Sequence, residues 1–156
     1  MNSVRWQRGV PERIRTLEPL SRYDYADLFA ITIHDGAERS AEDRMRAALG
    51  RAPIPLRALV SFVQGRILGL RLGPWLSPDH VLGWRVADRG DDWFRMEADS
   101  WLLTGHVVCQ IADGEYSIAA FVRYHHRLAA LIWPLVTPIH RYVGRTLLRS
   151  AATMGE

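Results

Sequence analysis

The residues best suited to chemistry lie toward the end of the chain, where "FVRYHHRLAALIWPLVTPIHRY" (Phe121 to Tyr142) holds His125, His126 and His140. A zinc site needs three or four convergent ligands with support behind them. The adjacent His125 and His126 leave a strand end in different directions, and His140 lies a bend away. No metal is therefore expected, and the histidines read as a polar cluster pinning a strand to a helix. His140 stands out, because it follows the apolar stripe position Ile139 and can point toward a cavity rim. An imidazole of ordinary pKa, near ~6.5, suits a proton acceptor. Glu97 and Asp99 share one strand face and could act as paired carboxylates, but Arg85 and Arg95 beside them favour a surface ion-pair cluster. Cys109 falls on an apolar strand face and reads as a small buried residue without a nucleophilic role. No Ser/His/Asp order, phosphate loop or dinucleotide fingerprint is present, so no cofactor is expected.

The elements that must position these residues follow from periodicity. Residues 1–21 read as an irregular arm, broken at Val10-Pro11 and Glu18-Pro19. "YDYADLFAITI" then alternates, with Tyr23, Tyr25, Phe29, Ile31 and Ile33 on one face, which argues a strand. A turn and two helices follow. The first has Ser40 as N-cap and Gly50 at its C-terminal cap. The second starts near Pro55, with Leu56, Leu59, Val60, Val63 and Ile67 on one stripe. "LRLGPWLSPD" is a loop carrying Trp75, either a packed surface loop or a gate over a cavity.

Four strands come next, "HVLGWRVAD", "DWFRMEADSW", "GHVVCQIAD" and "EYSIAAFVRYH", with connections short enough for an antiparallel meander. Asp113-Gly114 is a strong hairpin signal. Counting outward from it pairs Ile111 with Tyr116, Cys109 with Ile118, Val107 with Ala120, Gln110 with Ser117 and His106 with Phe121. The same count around Arg89-Gly90 pairs Trp84 with Met96 and Val86 with Phe94. Leu82, Trp84, Val86, Phe94, Met96 and Ala98 then share an apolar face. Trp93 and Trp101 fall on the charged face, which the arm would have to cover.

After Tyr124 the period lengthens to about 3.6. Leu128, Leu131, Ile132, Leu135, Ile139, Tyr142, Val143 and Leu147 form one stripe, with Arg141, Arg145 and Arg149 on the solvent side. Pro134 predicts a bend, and Thr137-Pro138 predicts a fresh helix start. The fold class is α+β: an antiparallel meander sheet gripping a long C-terminal helix, with two short helices inserted after the first strand.

Composition sets outer bounds. A chain of 156 residues has the length of a single domain, long enough to bury ~70% of its unfolded surface. All 20 basic residues are arginine, which reads first as the codon bias of a GC-rich genome. With a net charge of +3 and scattered arginines, nucleic-acid binding is not expected. The single Cys109 excludes an internal disulfide and a CxxC site. "MNSVRWQRGVPERIR" has no apolar core for a signal peptide. The apolar run Leu128 to Ile139 is far shorter than the ~20 residues of a spanning helix. A cytoplasmic, soluble protein without stable membrane insertion is the expectation, with a homodimer left open.

The motifs "DYADLF", "LGLRLGP", "VLGWRV", "ADSWLL", "FVRYHH" and "W…PIHRYV…LLRSAA" resemble the START-like (SRPBCC, polyketide cyclase and dehydrase-like) helix-grip superfamily. More narrowly they are similar to an uncharacterised actinobacterial family of small proteins. The likeness runs from about Tyr23 to Ala152, although five strands are counted where such folds usually have six or seven. It implies a cavity between the sheet and the C-terminal helix that binds an apolar or aromatic small molecule. The aromatic-rich face is chemically consistent with that, and its candidate lining is Trp84, Phe94, Met96, Tyr116, Tyr124, Trp133 and His140. The alternative is a small cyclase, dehydratase or hydrolase using His140 or Glu97 as acid-base. A third class is a membrane-surface or partner-binding protein working through the 55–73 segment, with Arg57, Arg66 and Arg71 beside its apolar stripe.

Overall fold

In the computed structural model, which describes residues 3–34 and 39–153, one antiparallel sheet wraps around a C-terminal helix. The strands are β1 (Arg5–Gln7), β2 (Tyr25–Thr32), β3 (Leu76–Ser77), β4 (His80–Val81), β5 (Trp84–Arg89), β6 (Trp93–Asp99), β7 (Leu103–Ala112) and β8 (Glu115–Tyr124). Their order across the sheet is β1-β2-β8-β7-β6-β5-β4-β3, so the early strand β2 closes onto the last strand β8. The helices are α1 (Glu12–Arg15), α2 (Ala41–Gly50), α3 (Ile54–Phe62) and α4 (Ala129–Ala152). A π-helical turn, Val63–Ile67, continues from α3. The turn expected between β2 and α2 lies largely outside the described residues. The α+β reading holds: a meander grips the C-terminal helix, and two short helices follow the strand expected to be first.

Turn chemistry explains the best-determined register. Asp113 and Gly114 both have positive φ (53° and 72°), the pattern that matches strand twist in a two-residue hairpin. All five expected pairs across β7 and β8 are present, from Ile111 opposite Tyr116 to His106 opposite Phe121. The β5–β6 hairpin departs from expectation. Gly90 donates its amide to the Trp93 carbonyl around a longer loop, and the register shifts between Val86 and Asp88. Val86 therefore sits opposite Met96, and Arg85 opposite Glu97. The longer loop and the one-residue bulge together move the pairing by two residues without changing side, so Trp84, Val86, Phe94, Met96 and Ala98 still face the core.

Four further expectations are corrected. The strand read over His80 to Asp88 is two strands, split at Leu82 and Gly83, which take positive φ of 62° and 81°. The arm is not irregular throughout, since Arg5, Trp6 and Gln7 pair with Ala30, Phe29 and Leu28. Gly50 is the last residue of α2 rather than its cap, and Arg51 ends the helix in a right-handed conformation. Ser40 does cap the start, accepting the Asp43 amide at 3.1 Å.

The largest correction concerns α4, which runs unbroken through Pro134 and Pro138. Both prolines lie on the exposed face. Ala130 and Pro134, the residues whose carbonyls lose an amide donor to the prolines, are themselves exposed, so the usual penalty of an interior proline is reduced. The buried stripe is rotated from the one expected. Ala129, Trp133, Val136, Leu147, Leu148 and Ala151 face the sheet, while Leu131 and Leu135 are 67% and 78% exposed. At Gly144 the helix rides close on β2: a Cβ there would come within 2.8 Å of the Phe29 ring.

The sheet is covered on both sides. Its concave face packs on α2 and α4, around Phe29, Met45, Leu49, Phe94, Tyr116 and Leu148. On the convex face Ile14, Leu17 and Leu20 of the arm cover Leu28, Val108 and Phe121. Arg95 donates to the Leu17 carbonyl at 2.7 Å, and His106 Nδ1 meets Glu18 Oε1 at 2.5 Å, which ties the arm down. Trp93 is half-buried on that side, and Trp101 is exposed, edge-on to His126. At the far end of α4, the fully buried Arg44 donates to the Ala151 and Ala152 carbonyls, which places a cation at a helix C-terminus.

Candidate functional site

Between the concave face and α4 lies a partly open apolar pocket of about 130 Å³. Its walls include Val60 and Val63 from α3 and its π turn, Trp84 from β5, Met96 from β6, and Trp133 and Val136 from α4. Trp84 is half-buried and lies over Gly105, where a Cβ would meet the indole at 2.6 Å. Of the seven sequence candidates, Trp84, Met96, Trp133 and His140 border this space. Phe94 is fully buried among other core side chains. Tyr116 is also buried, its hydroxyl donating to the Ala41 carbonyl at 2.6 Å. Tyr124 stands at the end of β8 beside Asp24, His125 and His126, in a shallow polar groove. Trp75 is pinned as a packed loop residue, its indole N–H donating to the Leu49 carbonyl at 3.1 Å.

Six lining side chains carry a polar N–H, N, O or thiol: Gln64, Trp84, His106, Cys109, Trp133 and His140. Gln64 is committed, since Oε1 accepts the Trp84 indole N–H at 2.6 Å and Nε2 donates to the Leu82 carbonyl at 3.3 Å. His106 turns its ring to Glu18 on the convex side. Cys109 is fully buried, and burial pushes its thiol well above the ordinary range, which leaves no thiolate for nucleophilic work. His140 and Trp133 remain, and the Trp133 indole N–H is buried without a partner among the described residues.

Sequence reasoning missed the partner of His140. Asp27 is fully buried on β2, on the same side of the strand as Tyr25 and Phe29. Its Oδ2 accepts three hydrogen bonds: from Tyr25 Oη at 2.6 Å, His140 Nε2 at 2.9 Å and Trp6 Nε1 at 3.1 Å. Oδ1 is buried with no partner among the described residues. Burial by itself would raise the Asp27 pKa, but the hydrogen bonds and charge of His140, with the Tyr25 and Trp6 bonds, outweigh it and hold the carboxyl below its usual range. Burial and the neighbouring carboxylate together push the Tyr25 phenol well up, so it stays a donor. The His140 ring is enclosed by Trp133 at 5.3 Å, Phe29 at 5.4 Å and Tyr25 at 6.3 Å between centroids. Arg8 and Arg141 lie over the outer rings of the network, Arg8 at 4.3 Å from Tyr25 and Arg141 at 3.9 Å from Trp6.

The other candidate groups separate. His125 Nε2 meets Thr104 Oγ1 at 2.5 Å, and His126 Nδ1 accepts the Leu128 amide at 3.0 Å. The three histidines thus have three unrelated settings, and no group of three or more His, Cys, Asp or Glu among the described residues could hold a metal ion. Glu97 is paired with Arg85 and Arg95, at 3.0 Å each, on the face the arm covers. It does not border the apolar space.

The model of a family described as protein of unknown function (DUF2867) matches residues 19–147. The chain belongs to this family. The matched span takes in β2, the meander and most of α4, and so contains both Asp27 and His140 of the DUF2867 chain. No curated protein and no solved structure matches it. No helix among the described residues is long and apolar enough to cross a membrane.

Proposed function

We propose that this DUF2867 protein binds a small apolar or aromatic molecule between its sheet and α4, as a soluble, cytoplasmic binding module of START-like type. The observation that carries the reading is the lining: a pocket of about 130 Å³ whose walls are mostly aliphatic and aromatic, with His140 at its edge. Apolar cavities of roughly 150 Å³ stay dry and accept benzene-sized molecules, so the size suits a single ring or a short branched chain. The helix-grip resemblance supports the same assignment, since it implies a ligand cavity in this position. An enzyme of the same fold is the second reading. The Asp27–His140 pair favours it, because an oriented imidazole at a dry pocket is the minimum for acid-base chemistry. Glu97 drops out of that reading.

Nitrobenzene tests the proposal, since it is of suitable size and quenches tryptophan emission, and Trp84 and Trp133 both border the space. Saturable quenching with a rise in melting temperature is expected, because a ligand that binds only the folded state stabilises it. Linear, unsaturable quenching without a thermal shift would overturn the reading.

A further inference from the structure

We infer that Asp27 and His140 form the polar end of the pocket, and that the ligand class is a small aromatic molecule carrying one acidic hydroxyl, whose proton His140 Nδ1 accepts. The inference rests on the pocket reading above and adds a substrate chemistry to it.

The argument starts from the tautomer. Asp27 is a fully buried carboxylate held in its ionised form, and His140 Nε2 lies 2.9 Å from its Oδ2. An ionised carboxylate only accepts hydrogen bonds, so the bond fixes a proton on Nε2. In the neutral ring Nδ1 is then a bare acceptor, and it has no hydrogen-bond partner among the described residues. The ring itself borders the apolar space, as does Trp133, whose indole N–H is a buried donor without a partner among the described residues; Gln64 and His106 are committed, and the Cys109 thiol is too weakly acidic to act. A purely aliphatic ligand would offer this acceptor no hydrogen bond. A ligand O–H would satisfy it.

Proton transfer balances simply. The ligand O–H bond breaks, the proton joins Nδ1, and the electron pair stays on oxygen as a phenolate-type anion. The resulting imidazolium stays bonded to the Asp27 carboxylate and is stabilised by it. The surroundings favour this charge arrangement. From β2, Tyr25 faces the carboxylate as a neutral donor; from the arm, Arg8 stands over Tyr25; from α4 itself, Arg141 stands over Trp6. Glu18, on the convex side, is occupied by His106. A structural clamp joining β1, β2 and α4 would need only the bonds to Oδ2. It would not need the imidazole to border an apolar space.

The test compares 4-nitrophenol with nitrobenzene, which lacks the hydroxyl, at a pH where free 4-nitrophenol is mostly protonated. The parent protein should bind the phenol at least about tenfold more tightly, the scale of one charge-assisted hydrogen bond. The bound phenol should also show the yellow phenolate band. In Asp27→Asn and in His140→Gln, the ratio of the two affinities should fall toward one and the band should vanish. If nitrobenzene binds saturably but the phenol binds no tighter, or if the preference survives both substitutions, the proposal fails while the pocket stands. If neither probe saturates, the pocket reading itself fails, and this inference goes with it. His140→Gln, on the helix, keeps the test decisive should Asp27→Asn not fold.

Discussion

Removing the buried carboxylate gives the sharpest check on how the site is held together. In Asp27→Ala, three donors (Tyr25 Oη, His140 Nε2 and Trp6 Nε1) lose one shared acceptor. A stranded buried donor costs about 1–3 kcal/mol. Tyr25 is 7% exposed and should bear the full penalty, whereas Trp6 and His140 are only partly buried and can recruit water. The total should be about 3–5 kcal/mol, the range for breaking a buried charged pair. Asp27→Asn keeps the volume and one acceptor oxygen, but its amide must face at least one of the same donors, so about 1–3 kcal/mol is expected. The pH dependence has a definite sign. Asp27's folded pKa lies below its unfolded value, so as pH falls the unfolded chain takes up this proton first. The carboxylate's contribution is complete above the ordinary carboxyl pKa of ~4 and is lost as pH drops through the lower folded value. Urea midpoints of the parent and Asp27→Asn should therefore converge between about pH 4 and the folded pKa. An Asn variant as stable as the parent at neutral pH, or a gap that stays constant into acid, would refute the reasoning. Either result would mean that the desolvation cost, the largest single influence on this group, has won.

Pro138→Ala should stabilise the protein by about 1–3 kcal/mol, because it restores an amide able to reach the exposed Pro134 carbonyl in an already continuous helix. A fall in melting temperature would show instead that α4 needs its proline-shaped course. Trp84→Ala should cost less than the ~3–5 kcal/mol of a fully buried aromatic, since the indole is half-buried and borders open space. Nitrobenzene affinity should change severalfold alongside it. A full-sized loss, with no saturable probe binding by the parent, would mean a filled core.

Local chemistry was the legible part of this fold. Asp113-Gly114 fixed a ten-residue pairing because positive φ at both positions is a property of the turn itself. The β5–β6 register slipped because counting from an assumed turn sees neither a longer loop nor a bulge, and the apolar face survived because their net slip was even. β1 and the covered convex face were illegible for a different reason. Three residues of edge strand carry no period of their own and become a strand only against β2. The helix across Pro134 and Pro138 follows the same logic. The rule that proline ends a helix assumes a desolvated carbonyl, and here tertiary placement turns both prolines to water.

The site failed in the sequence for one identifiable reason, which bears on where else to look. Hydrophobic stripes were drawn through the large apolar residues of α4, and they selected Leu131 and Leu135, which are exposed. The face that meets the sheet carries Ala129, Trp133, Val136, His140 and Gly144, where small and polar residues allow close approach and bonding across the interface. β2 held a matching signal. Tyr25, Asp27, Phe29 and Ile31 share one parity, so a carboxylate sits in the middle of an otherwise apolar strand face. An acid in that position needs a donor from the opposing layer. His140 on the opposing helix supplies it, 113 positions away. Each anomaly alone looks like a misplaced polar residue. Taken as a pair they explain each other, and the pairing becomes visible only when a polar residue breaking an apolar stripe is treated as a question about its partner.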